Sequence, residues 1–300
     1  MNDLNACIVY ISSRSKCIKH SLASLWENYN NKYNYPVYVH YFDDIYDNDS
    51  FRSEVKEACS PQNVIFKSVP YETPPFLKEE ELYHNRKNLW YVQNNFSVQR
   101  KGYLHMCNFT SNMYGYENTE LSQYDYIMTH DDESGYEEEM SYDPFRVLSE
   151  TEYFMGAYFV GQRLKNGTPH QGHLDTRVGL WEFTKNFLIN NRVIPKSQPL
   201  KKLLLDKNAD WNFHYLNWCD TYVIKTEMFK TELWQKWITA VNNDGGVYKY
   251  RWGDNEIISI FAHMVQPVIY DYNLVVNGIH NQGKFRKLQD MAPGVKDLSR

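Results

Sequence analysis

The apolar positions of this chain fall into short runs whose spacing switches between a strand period and a helix period. Ala6–Ile11 is a short apolar run closed by the polar turn Ser12-Ser13-Arg14-Ser15, which predicts a buried strand. Ile18, Leu22, Leu25, Trp26 and Tyr29 then come at helical spacing, and Val37–Phe42 alternates as a second strand before the acidic turn Asp43–Ser50. This β-α-β opening favours a parallel sheet with crossover helices. Tyr71–Tyr91, rich in Pro and Glu, reads as a surface excursion. Tyr103, Met106, Cys107, Thr110 and Met113 form another helical stripe, and Tyr124–Thr129 alternates as a short, largely buried strand. Asp143-Pro144 has the chemistry of a helix start, Asp as N-cap and Pro at the first helical position, ahead of Phe145, Val147 and Leu148. Gly161–His173 reads as loop, and Leu180, Phe183, Phe187 and Leu188 resume helical spacing. Asn242–Gly253 is a Gly- and aromatic-rich approach to the last helix, whose stripe is Ile257, Ile260, Phe261, Met264 and Val265. No repeat, low-complexity run or interdomain linker interrupts the series, so one α/β domain is the simplest account.

Composition narrows the function classes. A hydrophobic content of 42% supports a sizeable core, and most of the 16% aromatic residues belong to it or to its edge, with stacking on sugar or base faces as a second use. A formal charge of −5 argues against nucleic acid as a partner, which calls for a basic face. The five cysteines form no C-x-x-C pair and are odd in number, which argues against a zinc site or a disulfide framework. No apolar run approaches the ~18 residues of a membrane span, and the apolar run at the start is too short for a signal peptide. The chain as written is expected to be soluble and cytoplasmic.

Candidate chemistry is concentrated where the strand Tyr124–Thr129 runs into Asp131-Asp132-Glu133. In extended backbone Asp131 and Glu133 point to one side, and two hard oxygen ligands at a strand end suit Mg²⁺ or Mn²⁺. A polar turn closing the strand is the alternative. Asp254, immediately before the final helix, is either its N-cap or a carboxylate facing a reaction centre, and Gly253 in front of it permits a tight turn. His280, between Gly278 and Gly283, is either an exposed loop residue or a metal ligand. Asp220 interrupts the aromatic stretch Asn212–Tyr222 and is either a turn acid or a buried acid with a purpose.

Taken in order, these segments resemble the fungal Golgi α-1,2-mannosyltransferases, the glycolipid 2-alpha-mannosyltransferase family. IVYISSRS and NNKYNYPVYVHYFDD look like that family's first β-α-β unit, and GYLHMCNF resembles its Y-x-H-M-C-R-F helix. YDYIMTHDDESGY with SYDPFRVL resembles its metal motif and the helix after it. LWEFTKNFL, FHYLNWCD and GGVYKYRWGDNEIISI complete the series.

The resemblance implies a GT-A-type nucleotide-sugar-binding fold over residues 1–285, with a mixed, mostly parallel sheet flanked by helices, and a polar tail at 286–300. It implies a divalent-metal-dependent, retaining glycosyltransferase that carries mannose from GDP-mannose to a glycan or glycoprotein hydroxyl. Mn²⁺ or Mg²⁺ would be held by Asp131, Glu133 and His280, and Arg14, Asp131 and Glu133 would face the cofactor and donor. Tyr103 matches an essential tyrosine near the donor sugar, Asp254 the acid of the R-W-G-D motif, and Asp220 the acid facing the anomeric carbon. The sequence departs from the pattern at Thr129 and Asn108, where the family carries arginine, and at Asp132, where it carries proline. Lost guanidinium groups fit a changed donor or acceptor. The family's membrane anchor and stem have no counterpart here, although its Golgi members act in the lumen. A binding protein on the same fold without chemistry and a metal-dependent phosphoesterase are the competing classes.

Overall fold

The structure is a computed structural model that describes residues 4–12, 15–42, 49–59, 61–70, 72–94, 101–113, 120–132, 134–136, 139–157, 175–205, 221–267 and 270–271. Its frame is a seven-stranded sheet built from β1 (Ala6–Ser12), β2 (Val37–Tyr41), β3 (Val64–Ser68), β4 (Tyr126–Asp131), β5 (Met155–Ala157), β6 (Thr221–Lys225) and β7 (Tyr270–Asp271) in the order β3-β2-β1-β4-β6-β5-β7. β6 runs antiparallel to both of its neighbours and the other pairings are parallel. The mixed, mostly parallel α/β sheet is thus the one expected.

β1 shows why the centre of the sheet is so apolar. Every one of its seven residues is buried, because both faces are covered. Cys7, Val9 and Ile11 belong to one core, and Ala6, Ile8 and Tyr10 to the other. The second core is closed by Ile18, Leu22 and Leu25 of α1 (Ser15–Leu25), Val55 of α2 (Asp49–Ala58), and Phe145 and Leu148 of α4 (Pro144–Ser149). The first is larger and holds α3 (Lys101–Asn112), α5 (Leu180–Asn190), α6 (Glu232–Asp244), the short α7 (Gly246–Tyr250) and α8 (Asp254–Val265). Trp234 and Trp237 of α6 are fully buried there.

Two expectations change. Residues 72–91 are no surface excursion: Leu77, Leu82, Tyr83 and Leu89 are buried in the first core, and Gly245 approaches Leu77 closely. Pro and Glu describe the outward side of this segment, and four apolar side chains decide where it lies. The stretch 242–253 is not a plain approach loop either, because α6 extends to Asp244, Gly245 caps it at φ 75°, and α7 occupies 246–250. Residues 161–173 and the tail 286–300 lie outside the described residues.

Candidate active site

The parallel strands β1 and β4 pair with Ile11 opposite Asp131, so the ends of both strands open on the same edge of the sheet. β2 lies on one side of β1 and β4 on the other, which makes this edge a topological switch point, where open α/β sheets leave a crevice for ligands. Asp131 is partly exposed in that crevice, whereas Asp132 is wholly buried and accepts a hydrogen bond from Ser12 Oγ at 2.6 Å. The chain does not stay extended through the acidic triplet: Ser134 N donates to Asp131 O at 3.1 Å and closes a turn. The strand itself ends at Asp131, and Glu133 lies outside the described residues. Polar side chains from α1 and the helical turn after it hold the chain at Ser134 and Tyr136. Ser21 donates to Ser134 O, Ser24 both donates to Tyr136 O and accepts from Tyr136 N, and Asn28 donates to Tyr136 O at 2.8 Å. His130 is stacked on Tyr10 at 4.9 Å and donates through Nδ1 to Asp131 O, and burial lowers it to about 4, so it is a neutral structural ring.

The opposite wall comes from α3 and the turn into α8, which pack together. Tyr103 and Cys107 are one helical turn apart on α3 and so share a face. Cys107 interacts electrostatically with Asp254. Asp254 is the first residue of α8, and the N-cap is Gly253, so Asp254 does not cap this helix. It is partly buried, and burial, followed by the charge of Glu256, raises its carboxyl to about 7. Burial also pushes the Tyr103 phenol well up, opposed by Arg251 and reinforced by Cys107, Asp254 and Asp131. Tyr103 is thus coupled at once to Asp254 and Asp131.

Backbone conformation gives this turn its shape. Arg251 sits at φ 58°, ψ 39°, a left-handed conformation that costs a non-glycine residue roughly 1–3 kcal/mol and persists only where the surroundings impose it. Its guanidinium lies over the Tyr103 ring at 4.6 Å and the Tyr91 ring at 5.4 Å. A Cβ at Gly253 would come within 2.2 Å of Glu256 Oε2, so a larger residue there would displace the Glu256 carboxylate. Glu256 is buried and accepts from Arg177 Nε at 2.9 Å and Nη2 at 2.5 Å. Burial alone would raise this carboxyl, but the Arg177 charge and hydrogen bonds hold it below its ordinary value.

Of the residues singled out from sequence, Tyr103, Asp131 and Asp254 are described, and Tyr103 interacts electrostatically with both carboxylates. Arg14, Glu133, Asp220 and His280 lie outside the described residues. Cys107, Arg177, Arg251 and Glu256 were not singled out, although three of the four stand inside segments quoted for their resemblance. Arg177 had no signal of its own, since its partner is 79 residues away. Among the described residues no group of three His, Cys, Asp or Glu side chains could hold a metal ion. One partly exposed carboxylate at the strand end, together with the Glu and His expected beside it, nevertheless has a donor chemistry that fits Mn²⁺ or Mg²⁺.

Comparison with known proteins agrees with this geometry. The family described as glycolipid 2-alpha-mannosyltransferase matches residues 1–270. The O-glycoside alpha-1,2-mannosyltransferase omh1 of Schizosaccharomyces pombe is 23% identical over 244 residues, covering 80% of this chain and 59% of its own length. Glycolipid 2-alpha-mannosyltransferase 2 of Candida albicans is 22% identical over 255 residues, covering 82% and 51%. The chain thus spans little more than half the length of these relatives. Among solved structures, the mannosyltransferase Ktr4p from S. cerevisiae in complex with GDP superposes with a TM-score of 0.71 at 20% identity, over 88% of this chain and 67% of that one. The Mn/GDP form of core-mannan synthase A from Aspergillus fumigatus gives 0.67 at 18% identity, over 87% and 70%. At these identities the likeness concerns the fold, which is of the GT-A type.

Proposed function

The chain belongs to the glycolipid 2-alpha-mannosyltransferase family, and we propose on that premise that it is a metal-dependent, retaining mannosyltransferase that moves mannose from GDP-mannose to a glycan hydroxyl. The observation that carries the reading is the partly exposed Asp131 at the switch-point end of β4, which interacts electrostatically with Tyr103 of α3, itself coupled to Asp254. The GDP complex and the Mn/GDP form of two proteins of this fold add support for the donor and the ion.

In this reading Asp131 holds the divalent ion together with Glu133 and His280. When bound, the ion supplies positive charge that neutralises the departing diphosphate. Tyr103, like any tyrosine, is a phenol at neutral pH, and burial pushes its ionisation further up, so it acts as a hydrogen-bond donor to a phosphate or acceptor oxygen. Asp254, with its carboxyl near 7, is matched to orient the acceptor hydroxyl and take its proton as the new glycosidic bond forms. Asp220 is assigned to the positive charge that develops at the anomeric carbon as its bond to the diphosphate oxygen breaks.

The test is incubation with GDP-mannose, Mn²⁺ and an α-mannoside acceptor. The expected outcome is GDP release matched by mannosylated acceptor of retained configuration, abolished by EDTA and restored by Mn²⁺. Full activity in chelator would end the metal assignment, and binding of UDP but not GDP would overturn the mannosyl donor. Donor binding without any transfer would favour a binding protein on this fold.

A further inference from the structure

We propose that Arg251 is a positioning residue, holding the Tyr103 ring so that its hydroxyl is kept beside the carboxylates of Asp131 and Asp254. The inference rests on the transfer reading only for what that hydroxyl then does. Arg251 is buried, 9% exposed, so its charge is not that of a solvated surface side chain. Its guanidinium lies over the rings of both Tyr103 and Tyr91, at 4.6 and 5.4 Å from their centroids. A planar cation on a ring face fixes the plane of the ring as well as its distance, which a rotating ammonium group does not.

The backbone is arranged to deliver this contact. The left-handed conformation of Arg251 ends α7 and turns the chain toward α8 within three residues. Such a conformation in a residue with a Cβ is a mark of functional sites when the surroundings enforce it. Neutralising Glu256 does not by itself account for a second buried guanidinium, because that carboxylate already takes two hydrogen bonds from Arg177. The charged and titratable groups coupled to Arg251 include Tyr103 and Cys107 from α3, Tyr83, Tyr91, Asp254 and Glu256 from α8, and Arg177. Tyr103 is the one of these that also feels Asp131 across the crevice.

Two measurements on Arg251→Lys test the proposal. In protein labelled with 3-fluorotyrosine, the Tyr103 resonance is identified by its loss in Tyr103→Phe. Arg251→Lys is expected to shift and broaden it, while the resonance of Tyr29, in the core on the other face of the sheet, stays in place. In transfer assays Arg251→Lys is expected to lower kcat about 10²-fold, the scale of a misplacement of about 1 Å, with donor KM changed by less than about threefold. In the Tyr103→Phe background the same substitution is expected to add almost nothing, because the group that Arg251 positions is already gone. An unmoved fluorine resonance, or losses in kcat that multiply in the double variant, would overturn the proposal. Should the lysine variant not fold, Arg251→Gln is read in the same two ways. If the unsubstituted protein transfers no mannose, the functional reading fails, while the fluorine resonance still decides whether Arg251 positions Tyr103.

Discussion

A carboxylate in the first turn of a helix is ordinarily held ionised by the helix dipole, yet Asp254 is raised to about 7 by burial and by Glu256 two residues on. The sign of the consequence comes from linkage. Between the ordinary Asp value of ~3.9 and about 7 the unfolded chain has released this proton and the folded chain keeps it. The contribution of Asp254 to stability is therefore greatest at acid pH, falls as pH rises toward 7, and stays low above it. Asp254→Asn removes this slope, so its melting temperature is expected to drop less than that of the unsubstituted protein between about pH 5 and about pH 8. Turnover is expected to fall by about 10²–10⁴, the range of general acid–base assistance. Parallel melting curves with near-native turnover would show a carboxylate with neither burden nor role. Asp131 makes a different demand, since it is partly exposed. Asp131→Asn is expected to keep the native melting temperature in the absence of ligand and to lose Mn²⁺-supported GDP binding by calorimetry. Retained binding would remove Asp131 from the metal site.

At the scale of elements, legibility tracked burial. β1, β2, β4, α1, α3, α4, α5 and α8 could be read because each presents an apolar run or stripe to a core that covers it. β3 was not legible, since only Val64 of VIFKS is buried and the rest of the strand is partly or wholly exposed. In α6, Trp234, Trp237, Ile238 and Val241 do carry helical spacing, but the Asn-Asn-Asp-Gly-Gly after them dominates the local composition. Asp143 shows the limit of reading a residue from its neighbours. It caps α4 by accepting from Phe145 N at 3.0 Å, as expected, but it also accepts from the Tyr29 and Tyr35 hydroxyls at 2.9 and 2.7 Å. An ordinary cap is worth about 0.5–2 kcal/mol. Asp143→Ala also strands two buried hydroxyls, at about 1–3 kcal/mol for an unsatisfied group. A loss of about 3 kcal/mol or more by urea denaturation, with turnover preserved in the folded fraction, is therefore expected, and a loss under about 1 kcal/mol would show the tyrosines to be bystanders.

Across the whole molecule, the crevice is held by contacts between segments far apart in sequence, and this is why the supporting half of the site could not be read. Asp175 Oδ2 accepts from Trp90 N at 2.7 Å, Val178 O accepts from Trp252 Nε1 at 2.9 Å, and Arg177 between them pairs with Glu256. The four-residue stretch 175–178 thereby ties together the helical turn Trp90–Gln93, the R-W-G-D turn and α8. The Arg177–Glu256 pair is almost dry, with side chains 4% and 11% exposed. Removing one partner from such a pair leaves a buried charge without its counter-ion and typically costs about 3–5 kcal/mol, whereas replacing both with apolar groups is often close to neutral. Arg177→Met is accordingly expected to lose about 3–5 kcal/mol. Arg177→Met combined with Glu256→Met is expected to recover part of that loss, short of the whole because Arg251 also interacts with Glu256. Equilibrium urea unfolding of both variants at neutral pH checks this. A double variant no more stable than Arg177→Met would show that the cost lies in the packing of the Arg177 stem, and that the charge on Glu256 is tolerated without its partner.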